Sequence, residues 1–339
     1  LAAQLDRLAE ALPKITTHDA NSESADELTV AKKTVCEVLH WLDQRGFDAT
    51  VESIRQSIVR PNLYLNVSER LLQSAVEERE TRQAPVRDVI FGTSYVGNSI
   101  TNSVSGLDLT PNLEGISTTY TYVGEAQIQS NGYNQGATVR TSSVSTFRGE
   151  TLLVWTNKGI RLSPATATAI NRSRILDVST SRILGNRVAR NRAYQQKGAT
   201  EREVGQRTAA LVRNEMDSYF KELVRTSRDS FVRRFRVPLH ARDAFPDFVS
   251  MTSTDEQARL VLLTANSSQL STTTVPPDVS AEEAQADVVC HLHESLLNNL
   301  ASSYLSGRRL KDFEIGAMIG ELLGEVPEGF QEQEGQATW

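Results

Sequence analysis

The stretch GISTTYTYVGEAQIQS, residues 115–130, decides how this chain is read. Polar and apolar side chains alternate along it, Thr, Tyr and Val crowd it, and the turn-rich NGYNQG follows at 131–136. That combination is the pattern of a half-buried β-strand entering a hairpin. The same texture continues outward in ATVRTSSVSTF (137–147), ETLLVWT (150–156) and GIRLSPATATA (159–169), separated by RG and NKG. An antiparallel meander of at least four strands, curved or twisted, is predicted between about residues 86 and 170. Its alternation assigns Ser and Thr to a solvent face, and Ile, Val, Leu and Trp155 to an inner face that something must cover.

The natural cover comes next in the chain. Residues 181–236 read as a long helical segment, interrupted near Gly198 and restarting at Thr200 and Glu203 in capping-box spacing. Its second part carries Val212, Met216, Phe220, Leu223, Phe231 and Phe235 at steps of three and four, an apolar stripe on a rod of about 50 Å. With Trp155, these are the candidate apolar lining of any space between sheet and helix. Arginines fill the other face. From Arg182 to Arg236 there are 14 Lys and Arg against 6 Asp and Glu, +8 in a chain of net charge −6. Arg225, Arg228, Arg233, Arg234 and Arg236 suit a solvated face with pairs such as Asp229 to Arg233. Four of them, Arg225, Arg228, Arg233 and Arg234, also suit contact with an anionic membrane surface. Nucleic acid is disfavoured: apart from the stripe, the segment offers only Tyr194 and Tyr219 as aromatics, and the rest of the chain is acidic.

The N-terminal 61 residues read as helical. SADELTVAKKTVCEVLHWLDQRG (24–46) opens with Ser24 and Glu27 in capping-box spacing, carries Leu28, Val35, Leu39 and Leu42, and closes on Gly46. A shorter helix through Val51, Ile54 and Ile58 stops at Pro61, and TTHDANSES (16–24) reads as a loop. Beyond the rod, FPDFVSMTSTDEQARLVLLTANSSQLST (245–272) reads as two or more strands and TTTVPPDVSAEEAQ (272–285) as a linker. A last helix, LKDFEIGAMIGELLG (310–324), precedes an acidic tail.

The densest cluster of reactive side chains is VVCHLHESLL, residues 288–297, in a chain with five histidines and two cysteines. On a strand, His291 and His293 point to one side and could share a metal ion, with Glu294 as partner or base and His240 as a distant third ligand. Against this, the position four residues beyond His293 is Leu297, so the helical zinc-protease spacing is missing. Period two further assigns Val288, Cys290 and Leu292 to the core and both histidines to the opposite face. Laid over LYLNVSERLLQSA (63–75) at a constant offset of 225, the stretch VVCHLHESLLNNL (288–300) matches Glu69 with Glu294, and Leu71 and Leu72 with Leu296 and Leu297. Where the histidines stand, the first copy has Asn66 and Ser68. The shared element is a strand feeding a helix at an acidic residue, whose carboxylate faces the positive end of the helix dipole. No metal is assigned, and no cofactor is implied.

A strand running into a short helix of the form SERLLQSAV or HESLLNNLA, then a meander, then a long amphipathic helix, resembles the tubular lipid-binding (TULIP) superfamily, which includes the bactericidal permeability-increasing proteins. The resemblance covers about residues 62–310. It implies a curved sheet wrapped on a helix, often as two related halves, around an apolar tunnel that binds lipid without catalysis. It transfers no binding residue. The basic rod and the first 60 residues depart from it.

Enzyme signatures are missing. There is no phosphate-binding Gly-rich loop and no dinucleotide fingerprint, and GTSYVG (92–97) has the wrong spacing for a nucleophile elbow, reading instead as a strand start. The apolar runs LLVW and RLVLLTA fall far short of the roughly 20 residues of a membrane-spanning helix. Cys36 and Cys290 make no disulfide framework, and whether they pair stays open. The chain begins at Leu1 and stops after EGQATW, so it is expected to be a fragment or processed form.

The expectation is therefore an α+β protein in four parts: a helical region at 1–61, a strand-helix junction and meander at 62–180, a basic amphipathic helix at 181–236, and a second strand-helix half at 237–339, truncated at its C-terminus. Its function is expected to be non-enzymatic binding of a lipid-like ligand. The alternatives are a structural or interaction module with a solid core, and a metal-dependent protein using His291 and His293. Strands rich in Thr, Ser, Tyr and Asn lean toward an extracytoplasmic, cell-envelope location.

Overall fold

A computed structural model describes residues 1–16, 25–180, 185–266, 269–273, 280 and 283–305. The expected loop at 16–24 with its Ser24 cap, most of the 272–285 linker, the 310–324 helix and the acidic tail lie outside the described residues. The protein is α+β, with antiparallel strands and a long helix. Two compact units divide it: one comprises Leu1–Asn66, Ser227–Ser250 and the described part of Arg259–Trp339, the other Val67–Thr226 and Met251–Ala258.

In the first unit, helices α1 (Ala2–Thr16), α2 (Ala25–Asp43) and α3 (Asp48–Ile58) bring their apolar stripes together. Val35, Val38, Leu39 and Leu42 of α2 are almost completely buried against Leu8 and Ile15 of α1 and Val51 and Ile58 of α3. A four-stranded sheet follows, made of β1 (Leu63–Ser68), β8 (Phe248–Ser253), β9 (Gln257–Leu263) and β10 (Val288–Leu292), in the order β10-β1-β9-β8. Asn62, 1% exposed, ties the central segments together: its Nδ2 donates to the Thr264 carbonyl at 3.0 Å, and its Oδ1 accepts from the Thr264 amide at 3.0 Å.

The second unit is built on long strands. After the short helix α4 (Glu69–Val76) come β2 (Arg79–Ile90), β3 (Thr93–Thr110), β4 (Ile116–Asn134), β5 (Ala137–Thr156), β6 (Gly159–Leu162) and β7 (Thr166–Thr180). They form one antiparallel sheet in the order β2-β3-β4-β5-β6, with β7 also paired to β5. The expected RG turn at 148–149 does not exist: β5 runs through it as a 20-residue strand. Gly149 serves another purpose there, because a Cβ on it would lie 2.9 Å from Val212 Cγ1. Turns occur instead at Phe91-Gly92 and Gln135-Gly136, where all four residues have positive φ.

The covering helix α5 (Gly185–Phe231) is one uninterrupted element of 47 residues, about 70 Å long. The break expected near Gly198 is absent. One interior glycine costs only about 1 kcal/mol, which a helix of this length carries without breaking. Glu203, expected to close a capping box, bonds Arg207 Nε at 2.7 Å instead. The rod goes on through a π-helical turn, Val232–Arg236, into α6 (Val237–His240), where Pro238 is tolerated in the first turn.

The expected facing of the sheet holds only in part: Ile90, Leu109, Phe147, Leu153 and Val178 are buried as expected, but other positions are exchanged. Ser103, Ser105, Ser117, Ser145, Thr151 and Asn171 are buried, whereas Val96, Ile100, Val144, Leu152, Trp155 and Ile170 are exposed. Alternation separates two faces but carries no label for the covered one. Small hydroxyl residues let a helix approach closely, provided their hydroxyls find hydrogen-bond partners. Here they do: Tyr122 Oη donates to Ser103 Oγ at 3.0 Å, Ser105 Oγ to the Val76 carbonyl at 2.7 Å, and Thr151 Oγ1 to the Ser163 carbonyl at 2.9 Å.

Candidate functional site

Within the second unit α5 meets the sheet in two different ways. Toward its C-terminal end, Val212, Met216 and Phe220 pack on Phe147, Leu153 and Ala165, with Ala167 and Ala169 alongside. The Phe220 ring meets Tyr120 edge-on at 4.8 Å between centroids. Glycines and alanines on the sheet make this approach possible, and a Cβ on Gly205 of the helix would already lie 3.0 Å from the Ala169 carbonyl oxygen.

From about Val204 back to Val188 a cavity of about 670 Å³ separates helix and sheet. The register places its wall residues in successive rows across the strands. Thr93, Asn134, Ala137 and Thr180 lie at the hairpin end, followed by Tyr95 with Val139, then Val86, Ser130, Thr141 and Ile175, and then Ile128, Ser143 and Ser173. The helix contributes Val188, Ala189, Ala193, Gln196, Lys197 and Thr200. Apolar side chains and hydroxyls are mixed on this wall. Ser130 and Thr141 hydroxyls lie 2.9 Å apart, and Asn134 Nδ2 donates to Thr93 Oγ1 at 2.9 Å. Burial raises the Tyr95 phenol above its ordinary pKa, partly offset by its hydrogen bond with Thr200. Glu201 Oε1 accepts from the Ser173 amide at 2.6 Å and hydroxyl at 3.0 Å, with Lys197 Nζ 3.4 Å away. Burial pushes this carboxyl up, but the Ser173 bonds and Lys197 outweigh it and hold the pKa below the usual value.

The expected lining residues fall elsewhere. Val212, Met216 and Phe220 are buried in the packed end, and Met216 and Phe220 also edge a shallow hollow of about 210 Å³ beside Tyr219. Leu223, Phe231, Phe235 and Trp155 are each 36% or more exposed. Sequence reasoning missed Tyr95, Ile128, Val139 and Ile175 as wall residues. The available signal was the run of small helix residues, Ala189, Ala193 and Thr200, which cannot fill the space opposite them.

Along the rod, Phe231 and Phe235 stack with ring centroids 6.2 Å apart. Around them Arg228, Arg233, Arg234 and Arg236 are exposed, while Arg225 is bonded to Glu222 at 2.6 Å.

On β10 the predicted faces are inverted: Val289 is buried and His291 half-buried, while Val288, Cys290 and Leu292 are exposed. His291 Nε2 lies 3.6 Å from Glu283 Oε1. His293 Nδ1 accepts from the Ser295 amide at 3.1 Å at the start of α7 (Glu294–Leu305), and burial lowers its pKa. Ser68 does the same for α4, accepting from the Leu71 amide at 3.1 Å. The two strand-helix junctions thus begin alike, and their strands β1 and β10 are neighbours in one sheet. Glu69 stands in the first turn of α4 as expected, and its Oε1 also accepts from the Leu109 amide at 2.9 Å. His240 stacks on Phe245 at 4.3 Å between centroids. Among the described residues no three His, Cys, Asp or Glu side chains gather as a metal-ligand set, and Cys36 and Cys290 are both free thiols.

No protein-family model matches the chain, and no curated protein matches it. Among solved structures, that of a lipopolysaccharide binding protein is similar over 68% of this chain, at 10% sequence identity and a TM-score of 0.31. The likeness spans 57% of that protein's length. Among the described residues no helix is long and apolar enough to cross a membrane.

Proposed function

We propose that this protein binds a small apolar or amphipathic molecule, lipid-like in size, between strands β2–β5 and β7 and the N-terminal half of α5, and carries out no chemistry on it. The observation that supports this reading is the 670 Å³ cavity, within the range of sites for small organic ligands and walled by Tyr95, Ile128, Val139, Ile175 and Val188. A carrier of this kind fits a cell-envelope setting, where apolar molecules must cross water. The test is extraction of the purified protein with organic solvent followed by mass spectrometry, together with titration by an environment-sensitive apolar dye. Saturable dye binding near one per chain, displaced by the extracted material, is expected. A protein that binds no dye and yields no extractable molecule overturns the reading in favour of an interaction module.

A second reading is supported by the exposed Phe231 and Phe235 stack set among Arg228, Arg233, Arg234 and Arg236. Aromatics and arginines on one helical surface suit an anionic lipid interface. Sedimentation with anionic rather than neutral vesicles, weakened by Phe231→Ser/Phe235→Ser and by salt, is expected. Equal sedimentation with both vesicle types defeats it.

A further inference from the structure

The cavity wall carries hydrogen-bonding groups that the protein itself does not use, and they sit beside the closed, packed end. Asn171 is 6% exposed, and its Oδ1 is taken by the fully buried Ser145, whose hydroxyl donates to it at 2.7 Å. Its Nδ2 donates to no described residue, although the side chain lines the cavity. Ser143 lines the same space, and its hydroxyl is bonded to no described residue. The register sets Ser145 opposite Asn171 and Ser143 opposite Ser173, so the two unused groups are diagonal neighbours on adjacent strands, about 7 Å apart. Both groups face the cavity with no partner from the described residues, which makes this pair a place for a ligand atom.

The sign of that ligand group follows from its surroundings. Asn171 Nδ2 can only donate, and Ser143 can donate as well, so the fitting partner is an acceptor oxygen. The charge bonded to this row of the wall is the Glu201 carboxylate on Ser173, and the nearby Lys197 is already paired with it. That carboxylate lies behind Ser173, off the cavity wall itself, and its charge disfavours an anionic headgroup at this pair; Arg192, which does line the wall, stands nearer the Val188 end. The apolar wall, Tyr95 with Val139 and then Ile128 and Ile175, leads from the pair toward the hairpin turns at Phe91 and Gln135.

Resting on the cavity as a ligand site, we propose that it takes its ligand polar end first: a neutral carbonyl, amide or hydroxyl oxygen bonded to Asn171 Nδ2 and Ser143 Oγ, with the alkyl portion running toward the hairpin end. The test is displacement of a bound apolar dye by ten-carbon probes that differ only in their end group: decanamide, 1-decanol and decanoate. Decanamide and decanol are expected to displace the dye about tenfold more strongly than decanoate. Ser143→Ala/Asn171→Asp keeps an acceptor for Ser145 and removes both donors, and should cut that advantage about tenfold while dye affinity holds. Ser143→Ala alone, which leaves every described hydrogen bond intact, should give part of the loss. Decanoate binding as tightly as decanol, or neutral probes indifferent to both variants, overturns the proposal while leaving the cavity reading in place. Dye that does not bind at all removes the cavity reading and this one with it.

Discussion

One helix and one sheet meet twice in the second unit, and the two meetings differ in kind. At the packed end large helix residues, Val212, Met216 and Phe220, oppose a floor lowered by Gly149, Ala167 and Ala169. At the open end small helix residues, Ala189, Ala193 and Thr200, oppose small sheet residues, Ser130, Thr141, Ser143 and Ser173. Complementary sizes give close packing, whereas small against small leaves a volume that the rigid elements cannot collapse to fill. The packed end sets the spacing of helix and sheet, and the open end inherits it.

The sharpest way to break this contrast is Phe220→Ala, which removes a ring held by Tyr120 at the packed end and should cost about 3–5 kcal/mol in urea-induced unfolding. If it costs no more than a surface substitution, the packed end does not anchor the helix. Next comes Ala193→Phe, which makes the open end resemble the packed one. Dye affinity should fall at least tenfold, with stability changed by about 1 kcal/mol or less in either direction. Unchanged dye binding would place the dye elsewhere.

The smallest expected effect is on pH dependence. Because the folded-state pKa of Glu201 is lowered, its contribution is fully present above the unfolded value of 4.5 and is lost as pH falls through the folded value. Wild-type protein should therefore lose stability faster than Glu201→Gln between about pH 5 and pH 3, by about 1 kcal/mol or less for a partly exposed group. Parallel denaturation curves for the two proteins across that range would remove Glu201 from the stability of the open end.

Much of the architecture was legible. The three N-terminal helices follow from 3.6-residue stripes such as Val35, Leu39 and Leu42, and the meander from its alternation. Gly149 was misread as a turn, because glycine marks either a bend or a close approach, and only the partner across the gap distinguishes them; Gly198, misread as a break, meets no such partner and is carried by the helix around it. The site was much less legible. The apolar stripe of α5 pointed to its packed half, whereas the cavity lies where that stripe fades into alanine and threonine.

Local chemistry by itself determined which segments are helix and which are strand, since periodicity and turn residues act through neighbouring side chains. It also identified the two strand-helix junctions, where Ser68 and His293 each take a first-turn amide. Only the tertiary structure decided which face of each strand is covered. Period two is symmetric between faces, and the buried one is selected by what packs on it: a helix near enough to demand glycine and alanine beneath it at one end, and small enough at the other to leave room for a guest.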